Sequence, residues 1–278
     1  MKKLFSLLLA GLMIVSFAAC SDENDNETDL DDYRQEEVII DSYTNDLGQT
    51  FKFDSLDSET VTITAYQGGD IPHVVEIPSE MHGKKVAGIS DMAFYSLSNV
   101  TEVKIPNTIT TIGSMAFAEC RQLVSVTIPA SVEEIGDAAF MRCNSLKSVT
   151  FEAGSKLTEL PLASFKECSS LESVTIPANI EAVGAGAFQA CYALETIVIE
   201  EGVKTLGAQA FQDCKALASI TLPASLTEIG EYNFVGSDAL YIEGVTLPAN
   251  AECAAAKYVA TLNLQPKPVE PEAPETVA

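Results

Sequence analysis

Seven cysteines, two histidines and no tryptophan stand in 278 residues, so the side chains able to do chemistry are soon located. Cys120, Cys143, Cys168, Cys191 and Cys214 follow one another at intervals of 23, 25, 23 and 23 residues. Thiols in such a series could hold a metal, exchange disulfides or act as nucleophiles. No Cys-x-x-Cys pair accompanies them, so zinc and thioredoxin-like chemistry have no spacing support. They are read as buried free thiols acting as small apolar fillers, with stacked disulfides the open alternative in an exported chain. His73 follows Pro72 and His82 precedes Gly83, which suits loops better than a triad. Glu133 and Glu134 look like a carboxylate pair, but adjacent positions between apolar neighbours make a solvated edge. Asp22, Asn24 and Asn26 fit the first ligands of a calcium loop, yet Glu27 stands where glycine is required and Tyr33 where the bidentate Glu belongs. The expectation is no catalytic residue, no metal and no cofactor.

Charge narrows the classes further. Sixteen Lys and Arg against 40 Asp and Glu give −24, a surface that repels a phosphate backbone, so nucleic acid is excluded as a partner. Basic patches on a protein partner are favoured instead.

The elements that must position these residues come from a repeat. Phe94, Phe117, Phe140, Phe165, Phe188, Phe211 and Phe234 are spaced 23, 23, 25, 23, 23 and 23 residues apart, and the same frame returns around each. Val126 and Ile128 alternate with Ser125 and Thr127, the period of two of a strand with one face inside. Pro129 closes that strand, having no N–H for the ladder. Val132 and Ile135 enter the core on the return leg. Ala139, Phe140, Cys143 and Leu146 are spaced like the inner face of a helical or 3₁₀ turn. Gly113, Gly136, Gly184, Gly207 and Gly230 form a column in which Pro161 takes one place. Proline cannot adopt a positive φ, so close backbone packing is the expected reason for the glycines. A single unit buries too little to fold alone, and stacked units form a solenoid.

The frame C-x-x-L-x-x-V-x-I-P-x-x-I-x-x-I-G-x-x-A-F over residues 77–250 resembles the BspA-like leucine-rich repeats, a bacterial surface subfamily. The resemblance implies an α/β repeat solenoid: a right-handed superhelix with a parallel concave β-sheet, short helical or 3₁₀ turns and a small β N-terminal cap. FKF (51–53) and VTITAY (61–66) supply strands of that cap, residues 38–76. LPANAECAAAKYVA (247–260) resembles the closing segment, with a C-terminal cap over 251–264. Glu152 and Glu200 depart from the frame at the proline, Leu97 and Ser237 at the cysteine. The tail, 265–278, with Pro266, Pro268, Pro271 and Pro274, is expected to be extended or unstructured.

The N-terminus reads as an address. Lys2 and Lys3 precede an apolar run from Leu4 to Val15 that stops short of a membrane span. Phe17-Ala18-Ala19-Cys20 resembles a bacterial lipobox. That implies a signal peptide over 1–19 and a Cys20 whose acyl chains anchor the protein in a lipid bilayer. Residues 20–37 carry nine acids and one Arg, an acidic disordered tether. Its Ser-Asp-Glu start resembles the export signal of surface lipoproteins of Bacteroidota. The expected location is the outer membrane, facing the exterior.

Function then falls to the surface. Ser125, Ser148, Ser173, Thr196 and Ser219 form one outward strand column; Thr127, Thr150, Thr175, Val198 and Thr221 form the other. Ser and Thr are soluble and β-compatible, which alone could account for them. They also make a neutral, hydroxyl-lined face on an acidic body. The expected function is a monomeric, non-catalytic protein-binding or adhesion module. By resemblance its partner is a host or neighbouring-cell surface or matrix protein. The alternative is a glycan-binding surface lipoprotein serving polysaccharide uptake, which calls for aromatic platforms that the strands almost wholly lack.

Overall fold

The computed structural model describes residues 41–55, 57–67, 73–248, 253–262 and 264. The Cys20 acylation signal, the 20–37 tether and the 265–278 tail lie outside the described residues.

Seven coils, each named here by its Phe, stack along one axis. Each contributes a short strand to a parallel eight-stranded sheet: Val74–Glu76, Glu102–Lys104, Ser125–Ile128, Ser148–Phe151, Ser173–Ile176, Thr196–Ile199 and Ser219–Thr221, with Val245–Thr246 last. Each strand alternates outward and inward residues, and Val126, Ile128, Val174, Ile176, Ile197 and Ile220 are buried. A return leg then pairs with its neighbours as two-residue strands such as Thr111–Ile112 and Glu134–Ile135. Val132, Ala139, Phe140, Cys143 and Leu146 have no exposed surface.

The seven Phe rings form a stack, centroids 5.0–5.9 Å apart and planes within 13° of parallel. Both ends are closed by other aromatics. Tyr66 and Phe51 of the N-terminal hairpin strands Thr50–Asp54 and Thr60–Gln67 meet Phe94 at 5.8 and 6.4 Å. At the far end Tyr258, on the helix Ala254–Thr261, meets Phe234 edge-on at 6.0 Å.

The segment around each Phe is a turn, where the sequence suggested a helical or 3₁₀ one. Ala138 and Arg142, two residues either side of Phe140, have φ of 55° and 59°. The same two places are left-handed in every coil, at an ordinary cost of about 1–2 kcal/mol per non-glycine residue. What offsets the cost is hydrogen bonding between coils. A helical turn would direct its N–H groups along its own axis. Here the Ala138, Phe140 and Arg142 amides instead donate to the Leu162, Ser164 and Lys166 carbonyls of the next coil at 2.8–2.9 Å. The turn edge is thus a third ladder.

Glycines of the column pack where no side chain fits. A Cβ on Gly113, Gly136, Gly184, Gly207 or Gly230 would lie 2.3–2.6 Å from backbone of the preceding coil, and none has a positive φ. Their amides bond back across the same gap, Gly136 to Ile112 at 2.7 Å for instance.

The N-terminal edge of the eight-stranded sheet is covered chiefly by Gln49, with Asn45 beside it donating Nδ2 to the Glu76 carbonyl at 3.4 Å. Gln49, 2% exposed, donates Nε2 to the Val74 carbonyl at 2.7 Å and accepts the Glu76 amide at Oε1 at 3.0 Å. Its amide so replaces a neighbouring strand, which protects an edge otherwise prone to pairing with other chains.

Removing one ring tests the stack. Phe140→Ala should destabilise the solenoid by about 3–5 kcal/mol. Because coils touch only neighbours, hydrogen exchange should report the loss in the Phe117, Phe140 and Phe165 coils and leave the ends protected.

Candidate functional site

The first outward column of the long sheet lies in register from Ser125 to Ser219. Ser148 pairs with Ser125 on one side and Ser173 on the other, Ser173 with Thr196, and Thr196 with Ser219. In the second column Thr127 pairs with Thr150, and Thr175 with Val198, which pairs with Thr221. Ser125, Thr127, Ser148, Thr150, Ser173 and Thr175 are exposed, whereas Thr196, Val198, Ser219 and Thr221 are half-buried. The hydroxyl face is most open over three central strands.

Charge gathers at its margins. Towards the N-terminus the columns continue as Glu102 and Lys104, and Lys104 pairs with Glu76 on the next strand. Just outside the first column Lys147 pairs with Glu172 at 3.6 Å. Glu152 and Glu200, which stand for proline, tie down the other margin: their carboxylates accept the Ala130 and Ala178 amides at 3.0 Å. Their own amides add a rung that proline could not, to Ile128 and Ile176 at 3.0 Å.

The remaining chemical candidates are scattered. His73 and His82 are exposed, His73 near the Asn99 carbonyl and His82 against Tyr43 and Phe53 in the N-terminal region. Glu133 and Glu134 are exposed on the return leg, with Glu133 held by Lys156 at 2.7 Å. Among the described residues no group of His, Cys, Asp and Glu could hold a metal.

The cysteine column is buried and unpaired, as free thiols. Each has a polar role beyond filling space. Cys120, Cys143, Cys168, Cys191 and Cys214 direct Sγ to the carbonyls of Phe94, Phe117, Phe140, Phe165 and Phe188 in the preceding coil, at 3.2–3.4 Å. Burial pushes all five thiols up, Cys214 to about 12. At neutral pH they are neither nucleophiles nor ligands. Cys253 sits half-buried at the start of the closing helix, where Sγ accepts the Ala256 amide at 3.5 Å.

Two features had no signal in the sequence. One is an open cleft of about 670 Å³ on the N-terminal return-leg face, lined by Thr62, Ser90, Asp91, Thr111 and Glu134. The residues come from strands far apart in the chain, and only the parallel register brings them together. The other is a chain of ion pairs along the turn edge: Arg121 to Glu119, Glu119 to Arg142, and Arg142 to Glu167, at 2.9–3.1 Å. These pairs hold the Glu119 carboxyl below the usual carboxylate range.

Comparison with known proteins fits this geometry. The model of the BspA type leucine rich repeat region matches residues 87–218 and 181–254, in six copies. A leucine-rich repeat protein of T. pallidum superposes with a TM-score of 0.67 at 27% identity, over 78% of this chain and 95% of its own. A leucine rich cell surface protein of Faecalibacterium prausnitzii does so with 0.62 at 34% identity, over 74% of this chain and 54% of its own. The pneumococcal vaccine antigen PcpA shares the fold, with a TM-score of 0.52 at 18% identity. No curated protein matches.

The thiols lend stability a pH dependence. Unfolded thiols ionise near 9, while the buried ones stay protonated well above it. The folded chain therefore keeps protons that the unfolded chain loses. Stability should be full below pH 9 and fall as pH rises towards the folded values, by up to about 1.4 kcal/mol per unit per thiol. Urea unfolding between pH 8 and 11 should show that slope, and Cys143→Ala should lessen it by one thiol's share.

Proposed function

Since the chain belongs to the BspA-type leucine-rich repeat family, we propose that it is a non-catalytic protein-binding module whose docking surface is the outer face of the eight-stranded sheet. The observation that carries this reading is the pair of outward columns, exposed over the three central strands, the first in register through Ser125, Ser148 and Ser173 and the second at Thr127 and Thr150. They offer a neutral platform of hydroxyl donors and acceptors, with side chains short enough to let a partner approach the sheet. Solenoids use extended faces of this kind for binding. Charged margins and a net charge of −24 favour a basic partner surface. The partner class proposed is a protein of the host, of a neighbouring cell or of the extracellular matrix. A sugar would want aromatic platforms, and neither column contains a ring.

Display at the surface completes the proposal. Cys20 would carry the acyl chains and the acidic tether would hold the solenoid clear of the outer membrane, facing the exterior. The F. prausnitzii relative is itself described as a cell surface protein. Labelled palmitate should enter the wild-type chain and not Cys20→Ala, and protease added to whole cells should remove the solenoid. Equal labelling, or a protected solenoid, would speak against this location.

The face is tested by arrays of matrix proteins and glycans probed with the full chain. Thr127→Arg, Thr150→Arg and Thr175→Arg together should weaken protein binding at least ~10-fold while leaving the melting temperature nearly unchanged, as exposed substitutions do. Changing Glu133, Glu181 and Glu228 to Gln on the return leg should leave such a ligand bound. Glu133 and Glu181 are paired with Lys156 and Lys204, so their loss chiefly alters the field of the acidic edge. A ligand indifferent to the Thr changes but released by the Glu changes, or by salt beyond about 0.1 M, would move binding to that edge. A glycan hit sensitive to the Thr changes would replace the protein partner.

A further inference from the structure

The 25-residue spacing leaves a discontinuity that the Phe stack conceals. The Phe165 coil has two more residues than the Phe117, Phe140, Phe188, Phe211 and Phe234 coils, between its strand Ser148–Phe151 and its return leg Glu159–Leu160. Its two legs side with different neighbours. The strand is paired along its whole length with the preceding coil, from Ser148 and Ser125 to Phe151 and Ile128, but with the following coil only at Ser148 and Ser173, a single pairing also seen at Glu102 and Ser125, where the return-leg ladder stays whole. The return leg does the reverse. It pairs with Ala182–Val183 of the following coil, while the return-leg ladder divides in two between Ile135 and Glu159.

Chemistry accounts for the division. In the coils on either side a glycine amide donates to the preceding coil, Gly136 to Ile112 and Gly184 to Leu160. Pro161 occupies that place and has no N–H to offer the Ile135 carbonyl. Core burial marks the same two gaps. Ile135 is 8% exposed where its counterparts Ile112, Leu160, Val183 and Leu206 are at most 2%. On the strand side Val149 is also 8% exposed, and Phe151 is half-buried where Ile128 and Ile176 are closed.

The turn edge shows no such break. Its inter-coil bonds run through the Phe165 coil at 2.8–2.9 Å on both sides, and Phe165 stacks at 5.2 and 5.4 Å on its neighbours. We infer that the Phe165 coil is a joint: two blocks, the described residues of 41–146 and those of 173–264, incline relative to one another about the continuous turn edge as spine. Opening the joint changes the angle between the Ser125 and Thr127 rungs on one block and the Ser173 and Thr175 rungs on the other. The inference rests on hydrogen bonding and burial, so it stands whatever binds there. If the outer face does bind, the joint adapts it to partners of different curvature, a hinge of few residues of the usual kind.

The test measures a distance distribution across the joint. Spin labels at Lys85→Cys and Glu228→Cys, in the full chain with Cys20→Ala and Cys253→Ser, lie on the first and seventh coils, six intervals apart, and leave the buried thiols unlabelled. Excising Gly154 and Ser155 together with Pro161→Gly restores a 23-residue coil and supplies the missing amide. The restored chain should show a distribution narrower by about a third than the parent's, as the hinge is removed. Equal widths would overturn the joint. Hydrogen exchange reads the parent alone, independent of whether the restored chain folds. The Thr158 amide should exchange at least ~10-fold faster than its counterparts Glu181 and Lys204, which donate to the Thr158 and Glu181 carbonyls. Equal protection would overturn it as well.

Discussion

A coil of this protein makes most of its backbone hydrogen bonds to its neighbours, and almost every other feature follows from that dependence. Three ladders run along the axis: the strand sheet, the return leg with its glycines, and the turn edge with its left-handed residues. Because all three must advance together, each coil repeats its predecessor at a spacing set by strand pairing, about 4.7–4.9 Å. The Phe rings stand slightly farther apart, at 5.0–5.9 Å.

The cysteine column shows how tightly the ladders select residue type. A Phe carbonyl already accepts the amide three residues on in its own coil, as Phe117 does from Cys120. Its second lone pair faces the following coil, in a site too small for more than a short side chain. A thiol fits the apolar surroundings and reaches that oxygen. Ser237, in the same place, carries a hydroxyl on a shorter bond, and its Oγ is left without a partner. Leu97 belongs to the first coil, where no earlier Phe carbonyl waits to be met. Both departures thus fall at the ends of the stack, where the selecting constraint is incomplete or relaxed.

Much of this was legible from side-chain period alone. The strand alternation, the inward Phe and Cys, and the close approach behind Gly136 each depend on which residues face in, and the repeat states that seven times. The turns were not legible, because their left-handed positions hold Met92, Glu119, Arg142, Gln209 and Tyr232, types with no common bias towards that backbone. Inter-coil bonds hold them there, and such bonds leave no mark on composition. Gln49 was hidden for a related reason: its role is to imitate a strand, and nothing in a lone glutamine announces that. The insertion was visible as a 25 among 23s. Its consequence needed the two legs to be seen pairing independently, since a longer coil could as well have looped out and left both ladders whole.

A repeated face also poses a problem for recognition. Rungs that are alike offer a ligand the same hydroxyls at every step, so a partner satisfied by one register is nearly satisfied by the next. Specificity must come from where the pattern breaks. On the long sheet the breaks are Glu102 with the Lys104–Glu76 pair at one end, and Val198 among the threonines towards the other. A partner spanning both would read one charged and one apolar landmark about four strands apart, roughly 19 Å at ordinary strand spacing. The joint inferred at the Phe165 coil lies between those landmarks, so on that inference the distance that fixes the register is adjustable. Shape is supplied by the repeat, and identity by its irregularities.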